Sequence, residues 1–590
     1  MKRYIYLSKY IFLSIAIITA VSCNKDRFLE EPVFQLTTET SYSTPAQIDL
    51  AINSMHNKMQ YLSFSSYQYH NYIMTGLGLD GFFSTTNSFV TSNWSLLTPT
   101  EPGYVSHWAT NLSQVLTYAN NVIEACNNPA VKFSNDVQKN ELLAEGMFFR
   151  AWSHRCLVGL FGDWPIITEV QKVPKLDFVR APRVDVWKQC KADLSFAAAN
   201  LPKTTSRPGR IVRAAADHLL AEICISLGDH TKDAKYYDEA ITAASNVIGG
   251  KDGDYQLMKG RFGKRATEAG KNVYWDLFRA GNFNYQEGNK EAIWVVQYDY
   301  ANAIGGTGGM PNSATSNKLL LEFAFQSTSY FVNRQLKDAS GNSYFFFGDG
   351  AVKFANGQSS QTGNDERGVG ASQNRPTNYF FYTIWENNGQ DIRNAEANIE
   401  RNIKQAGGKP WNDVFAEIKA RGDWNKIIPS DTIRSIYPRI WKFSTDKHIN
   451  GNQEFYDADI YIMRLPETYL LRAEAYMKKG ATDLAKNDIN EVRSRSNARL
   501  ISDAEVTMDY ILDERTRELF GEEYRLVTLT RLSTKENPVL VNRVKKYGWK
   551  WPDLPNENRP NIQNHQWVYP IPQSIIDANT DGEFKQNEGY

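Results

Sequence analysis

The stretch AEGMFFRAWSHRCLVGLFGDWPIIT, residues 144–168, decides the fold. Ala144, Met147, Phe148, Ala151 and Trp152 fall at i, i+3, i+4, i+7 and i+8, the spacing that gathers apolar side chains on one face of an α-helix. Gly162 and Pro165 then supply the stop. The same period recurs downstream. Trp187, Cys190, Leu194, Ala197, Ala198 and Leu201 form a stripe closed by Pro202. Ala216, Leu219, Leu220, Ile223, Cys224 and Leu227 form another, closed by Gly228. Ala240, Ala243, Ala244, Val247 and Ile248 form a third, closed by Gly249 and Gly250. Alanines set against larger residues predict antiparallel helices packed close together.

The C-terminal part repeats the pattern. Pro466 opens a helix running through Leu470, Ala473 and Met477 to Gly480, and a second carries Leu484, Ile489 and Val492. Ser502 with Glu505 reads as a capping box before a helix over residues 508–520. Residues 213–248 and 466–497 have lengths near the ~34 residues of a tetratricopeptide unit, without its consensus. The expected class is mainly α: tetratricopeptide-like helix pairs forming a scaffold, with long irregular loops and a few short strands. Two short arrays of pairs, far apart in sequence, would have to dock together. Residues 251–460 differ in character. They are rich in Gly and Asn, with EAIWVVQYDY (291–300) reading as one strand between turns. Residues 63–104 form a Ser/Thr/Asn-rich insert with many aromatics. Ordered loops on a helical scaffold are the natural place for a binding surface.

The N-terminus gives an address. Lys2 and Arg3 precede an apolar run at 11–18 too short to span a bilayer as a mature helix, then Ala20-Val21-Ser22-Cys23, the layout of a secretory signal. The small residues ending at a cysteine resemble the lipobox of bacterial lipoproteins, which implies a signal peptide over residues 1–22 and an acylated N-terminus at Cys23. The 590-residue chain balances 66 basic against 66 acidic residues, which disfavours nucleic-acid binding by electrostatics. Of its 5 cysteines, Cys126, Cys156, Cys190 and Cys224 lie in helical patterns without CxxC spacing and read as buried free thiols. Aromatics make up 13% of the chain, with 14 Trp and 31 Tyr, a composition suited to stacking against ligands with apolar faces and polar rims.

Motifs for catalysis are missing. The 8 histidines form no HExxH and no His/Cys cluster at metal spacing, and no GxSxG elbow, P-loop or GxGxxG opens a helix after a strand. No cofactor or metal is expected. Glu467, Glu474, Asp513, Glu514, Glu518, Glu522 and Glu523 stand among Arg472, Arg515, Arg517 and Arg525 and read as structural ion pairs. A loosely calcium-like turn at 338–342 has its glycine misplaced. What remains are loop aromatics. Tyr67, Tyr69, Tyr72, Phe82, Phe83, Asn93 and Trp94 fall within one loop-rich stretch, and flat rings beside Asn, Asp or Arg complement sugars.

Several segments together resemble the SusD/RagB family of cell-surface nutrient-binding lipoproteins of Bacteroidetes. They are CNKDRFLEEP from Cys23, Trp108 with Asn120-Asn121-Val122-Ile123, the 144–168 block ending Gly-Asp-x-Pro, Asp193-Leu194 with Leu201-Pro202, and Glu291 to Gln297. RLPETYLLRAEAY from Arg464, NEVRSR from Asn490, ERTRELFGEEYR from Glu514, Tyr569-Pro570-Ile571-Pro572 and Gln586-Asn587-Glu588-Gly589-Tyr590 complete the set. Glu588 stands where the family has proline, and RLVTL from Arg525 lacks the family's aromatic and acid. The resemblance implies an N-terminal helical region over 23–250 with the aromatic insert 63–104. A C-terminal region over 251–590 would follow, its loop-rich segment 251–460 preceding a helical one at 461–532, all in one compact unit. It also implies a non-catalytic protein anchored in the outer membrane and exposed at the surface. Such a protein captures an oligosaccharide and delivers it to a SusC-like TonB-dependent transporter. By the same analogy the ligand-binding residues are Asp80, Asn93 and Trp94, with Tyr67, Tyr72, Phe283 and Tyr300 as further candidates. A peptide cargo, for which Arg261, Lys264 and Arg265 would matter more, and a glycoside hydrolase are the alternatives.

Overall fold

The computed structural model describes residues 42–64, 72–84, 93–100, 104–298, 374–401, 411–422, 437–444, 459–548 and 560–590, with short strand segments at 352–353, 359–360, 448–449 and 452–456. The helices follow the apolar stripes: α1 Pro45–Phe64, α2 Tyr104–Asn127, α3 Asp136–Phe161, α4 Arg183–Asn200, α5 Arg213–Thr231, α6 Lys235–Ile248, α7 Trp411–Ala420, α8 Leu465–Lys478, α9 Thr482–Arg495, α10 Met508–Leu519, α11 Arg525–Arg531 and α12 Val539–Tyr547. From α2 to α6 each helix packs on its chain neighbour, α6 then packs on α8, and α8 pairs with α9. The two arrays therefore dock as the sequence pattern requires. Their seam is made of Ala221, Cys224, Ala240, Ala244, Leu471 and Ala475, small enough to let helix axes approach. The architecture is mainly α.

α3 sits at the centre. The Asn135 side chain accepts from the Gln138 N–H to cap its start, and Gly162 ends it at φ 72°, in the left-handed region that a side chain resists. From Leu142 to Phe161 almost every residue is buried, because α1, α2, α4 and α11 all pack on this helix. The close approach of α11 needs Gly159, where a Cβ would stand 2.7 Å from a Val527 methyl. Leu526 and Leu529 on α11 are buried in the main core, so RLVTL fills its corner with aliphatic side chains.

Strands are short: β1 Phe82–Ser84, β2 Ala292–Val296, β3 Asn374–Pro376, β4 Ile399–Glu400, β5 Arg439–Ile440 and β6 Ile460–Arg464. They form two-stranded antiparallel ribbons, β1 with β3, β2 with β6 and β4 with β5. In β2–β6, Val296 lies opposite Ile460 and Ala292 opposite Arg464, and every residue of both strands is buried. That ribbon carries the chain from the loop region back into α8. The strand read at 291–300 thus spans 292–296, with 299–300 outside the described residues.

Two further expectations change. The Ser502–Glu505 box caps only the single 3-10 turn Asp503–Glu505; α10 is capped separately by Thr507, whose hydroxyl accepts from the Tyr510 N–H at 3.1 Å. Leu484, placed on an apolar stripe, is 41% exposed. Cys126, Cys156, Cys190 and Cys224 are buried and free, as expected.

The acid–arginine clusters form ion pairs, and they are buried rather than displayed on helix surfaces. Arg464 meets Glu291 at 2.7 Å, Glu518 at 2.9 Å and Glu522 at 2.7 Å. Arg493 and Arg517 meet Glu514 at 2.7 and 2.8 Å, Arg531 meets Glu474 at 2.6 Å, and Arg515 meets Glu523 at 2.8 Å. Burial pushes the Glu467 and Glu514 carboxyls up, but Arg515 and His218 at the first, and Arg393, Arg493 and Arg517 at the second, outweigh it. Both come down to about 2 from an ordinary 4.5. A carboxyl whose folded pKa lies below its unfolded value stabilises the fold above the unfolded value and loses that contribution as pH falls through the folded one. Unfolding free energy from denaturant titrations should therefore drop between about pH 4.5 and pH 2. Glu514→Gln should lower it by about 3–5 kcal/mol at pH 7, because it leaves buried arginines unpaired. A flat acid limb in the wild type would contradict this.

Candidate ligand-binding site

The residues expected at the ligand separate into three places. Tyr67 and Tyr300, like Cys23, the 338–342 turn and most of the Gly-rich segments, lie outside the described residues. Asp80 is 0% exposed. It sits in the turn before β1 and receives Arg525 of α11 at 2.5 Å and Arg543 of α12 at 3.0 Å. Burial alone would raise its carboxyl; the two guanidiniums hold it well below the usual carboxylate range. Arg543 also donates to the Tyr379 hydroxyl at 2.8 Å and to Asp513 at 2.9 Å. The void beside Asp80 measures about 20 Å³, room for one water and not for a sugar.

Tyr72, Trp94 and Phe283 are 1%, 2% and 7% exposed. Phe283 packs on the Tyr461 ring with centroids 5.1 Å apart, and Trp94 stands edge-on to Tyr569 at 6.2 Å. Rings so enclosed offer no face to a ligand in this conformation, and their place is behind the surface. Asn93 is partly exposed. Its side-chain oxygen accepts from the Ser95 hydroxyl at 2.7 Å and from Asn561 Nδ2 at 2.6 Å. Asn561 in turn accepts from the Trp94 N–H at 2.8 Å, and Gln566 donates to the Trp94 carbonyl at 2.8 Å. The Asn93–Trp94 loop is thus pinned to the segment 561–566.

That segment continues into a cavity of about 780 Å³, lined by Gln563, Asn564, His565, Trp567 and Val568 together with Asp163, Arg180, Arg183, Lys535, Lys545 and Glu588. This volume falls within the roughly 300–1,000 Å³ of small-molecule sites. The sequence did not point to it, because its residues come from the turn after α3, the start of α4, the 535–548 stretch and the C-terminus. The one available signal was the co-occurrence of the Gly-Asp-x-Pro and C-terminal motifs, which read as scaffold. Glu588, in the position of the family's proline, is exposed and pairs with Lys535 at 2.7 Å. A second cavity of about 410 Å³ is electrostatically closed: Arg207 and Arg210 pair with Asp49 at 2.8 and 2.6 Å, and Arg210 also with Glu145. Arg261 and Arg265, which a peptide ligand would need, pair with Asp276 and Glu268. Among the described residues no group of three or more His, Cys, Asp or Glu side chains is placed to hold a metal ion, and no helix is long and apolar enough to cross a membrane.

Comparison with known proteins agrees with this architecture. A profile of the SusD family matches residues 290–590, and one described as "Starch-binding associating with outer membrane" matches residues 29–225. The chain belongs to the SusD/RagB family. It is 36% identical to the starch-binding protein SusD of Bacteroides thetaiotaomicron over 134 residues, 23% of this chain and 22% of that protein. It is 25% identical to SusD-like protein P2 of Formosa agariphila over 52% of this chain and 55% of that one. These matches span about a fifth and about half of the relatives' lengths. A SusD-like protein of Bacteroides ovatus is 22% identical over 88% of this chain and 81% of its own. Among solved structures, a laminarin-binding SusD-like protein superposes with TM-score 0.62 at 19% identity, covering 92% of this chain and 99% of that one. Surface glycan-binding protein A of Bacteroides thetaiotaomicron in complex with laminarihexaose superposes with TM-score 0.59 at 16% identity, covering 92% and 99%.

Asp80→Asn should destabilise the protein by about 3–5 kcal/mol, since Arg525 and Arg543 would keep buried charges without their shared partner. Chemical denaturation reads this directly. A variant as stable as wild type would mean that the pairing does not hold the loop before β1.

Proposed function

We propose that the chain is a surface-exposed lipoprotein of the outer membrane. Anchored through Cys23, it captures an oligosaccharide and passes it to a SusC-like TonB-dependent transporter without chemical change. What carries the reading is family membership: the SusD profile and the starch-binding profile together match residues 29–225 and 290–590. Relatives whose names state starch, laminarin or glycan binding support the cargo class. The 29–225 profile, by its description, supports the location.

In this proposal Asn93, Tyr67 and Tyr300 are the residues that meet the ligand. Asp80, Tyr72, Trp94 and Phe283 act one layer behind, holding the loops in place. Hydrogen bonds and stacking without a covalent step permit release, and a lipid tether raises the ligand concentration at the transporter mouth.

Calorimetric titration against a panel of neutral and acidic oligosaccharides should detect binding, with the glycan recovered intact by chromatography. Asn93→Ala should weaken that binding about tenfold or more, with only a small drop in melting temperature from the lost Ser95 and Asn561 hydrogen bonds. Appearance of shorter saccharides would replace this reading with a hydrolase, and silence across the panel would remove the glycan altogether. Labelled-palmitate incorporation lost in Cys23→Ser, and co-purification of a barrel transporter, check the anchor and the partner.

A further inference from the structure

The 780 Å³ cavity has a wall whose charge balance differs from that around many of the interior arginines. In the interior, Arg150, Arg155, Arg464, Arg493, Arg515, Arg525, Arg531 and Arg543 each hold a carboxylate within ion-pair distance. Arg183, at the first turn of α4 and 9% exposed, holds none among the described residues. Its guanidinium donates to the Ser533 carbonyl at 2.7 Å and the Thr530 carbonyl at 3.4 Å, and its Nη2 lies 3.3 Å from His230 Nδ1. It lies over the rings of Trp187 and Trp567 at 5.3 and 4.9 Å. The Asp163 carboxylate accepts the backbone N–H of Arg183, at 2.9 Å. Burial accordingly pushes the Arg183 guanidinium down to about 10, with Asp163 opposing.

Arg180 repeats the pattern. It donates to the carbonyls of Asp163 and Lys585, both at 2.9 Å, and to the Asn587 side chain at 2.6 Å, all neutral acceptors. Lys545, exposed at the rim, donates to Asn564 Oδ1 at 2.9 Å. Four cationic side chains, Arg180, Arg183, Lys535 and Lys545, thus line the space against two carboxylates, Asp163 and Glu588. One of those carboxylates is already taken by Lys535. A buried guanidinium without a counter-charge is destabilising, and the open volume next to it is where a counter-charge would enter.

We propose that this cavity receives the acid group, a carboxylate or sulfate ester, of an anionic oligosaccharide. Resting on the glycan-capture reading, the inference narrows the cargo from glycans in general to acidic ones. Size selects a saccharide over a free ion. A small anion would leave most of the volume to water at ~30 Å³ each, whereas Trp567, partly exposed on the wall, suits the apolar face of a sugar ring. Charge-assisted bonds from arginine to carboxylate or sulfate are about twice as strong as neutral ones. They also weaken with salt at the exposed rim.

The test is calorimetric titration of the mature chain with a tri-galacturonate, a sulfated chondroitin tetrasaccharide, laminarihexaose, maltohexaose, an oligo-aspartate peptide and inorganic sulfate. At least one of the two acidic saccharides should bind. Lys545→Glu, which alters an exposed side chain and should leave the melting temperature unchanged, should weaken that binding about tenfold, and Arg183→Gln should weaken it further. Raising salt to 0.5 M should weaken it as well, while any neutral-glycan affinity stays put. Binding of only the neutral hexaoses, or acidic binding indifferent to Lys545→Glu, overturns the inference and leaves glycan capture standing. Binding of the aspartate peptide or of sulfate without either acidic saccharide also overturns it. No binding by any saccharide removes both readings.

Discussion

The rest of the structure depends on the contacts of Arg464. It ends β6, opens the way into α8 and has no exposed side-chain surface. Glu291 reaches it from the start of β2, and Glu518 and Glu522 from α10 and the turn after it. Glu518 is then shared with Arg495 of α9 and with Arg393 of the 374–401 segment, and Glu522 with Lys442 beside β5. Segments far apart in sequence thus converge on one charge cluster. Desolvating so many charges offsets most of their mutual attraction, so the cluster adds little net stability over an apolar plug of the same volume. Its effect lies in geometry. A guanidinium that must meet three carboxylates within hydrogen-bond distance allows one docking of β6 and α10, where a greasy contact would tolerate sliding.

How much of this was legible depends on how each element is buried. α6 shows a clean stripe, with Ala240, Ala243, Ala244 and Val247 inside, because it packs along one side. α3 could be placed as a helix, but its periodic series understated it. A helix enclosed by four neighbours buries Glu145, Arg150, His154 and Arg155 along with its aliphatics, and polar residues inside break the amphipathic signal. The partners that make those side chains tolerable, Asp193 for Arg150 and Glu222 for Arg155, lie 43 and 67 residues away, beyond any local pattern. The Ser502 box failed for a local reason: Thr507 is a competing cap five residues on, and the intervening turn consumed the first signal.

The candidate site was legible only in part, and for a physical reason. Aromatic richness reads the same whether rings face water or one another. Here Trp152, Phe148 and Phe149 crowd edge-on around Trp294, with centroids 4.9 to 5.9 Å apart, and Trp94 joins the main core. Of the residues that line the open cavity, Asp163 and Glu588 belong to motifs that read as scaffold, and the cations Arg180, Arg183, Lys535 and Lys545 belong to none. Arg180 and Arg183 are separated from Lys545 and Trp567 by more than 350 positions, and only the packing of α4 against the C-terminal segment brings them together.

Leaving cations of the cavity wall unmatched has a consequence for the delivery we propose. In the interior a charge without a partner would be paid for in stability. In the wall of the cavity the carbonyls of Ser533 and Thr530 and two indole rings carry part of that cost for Arg183. The remainder is available as attraction for a ligand. Contacts of this kind form quickly, because the field extends about 8–10 Å at physiological salt, and at a solvated rim they also release quickly. Rapid exchange would be a weakness in a free receptor. On a chain tethered beside its acceptor, as we propose for this one, it would be an advantage, since local concentration substitutes for affinity and a ligand held too tightly would not move on.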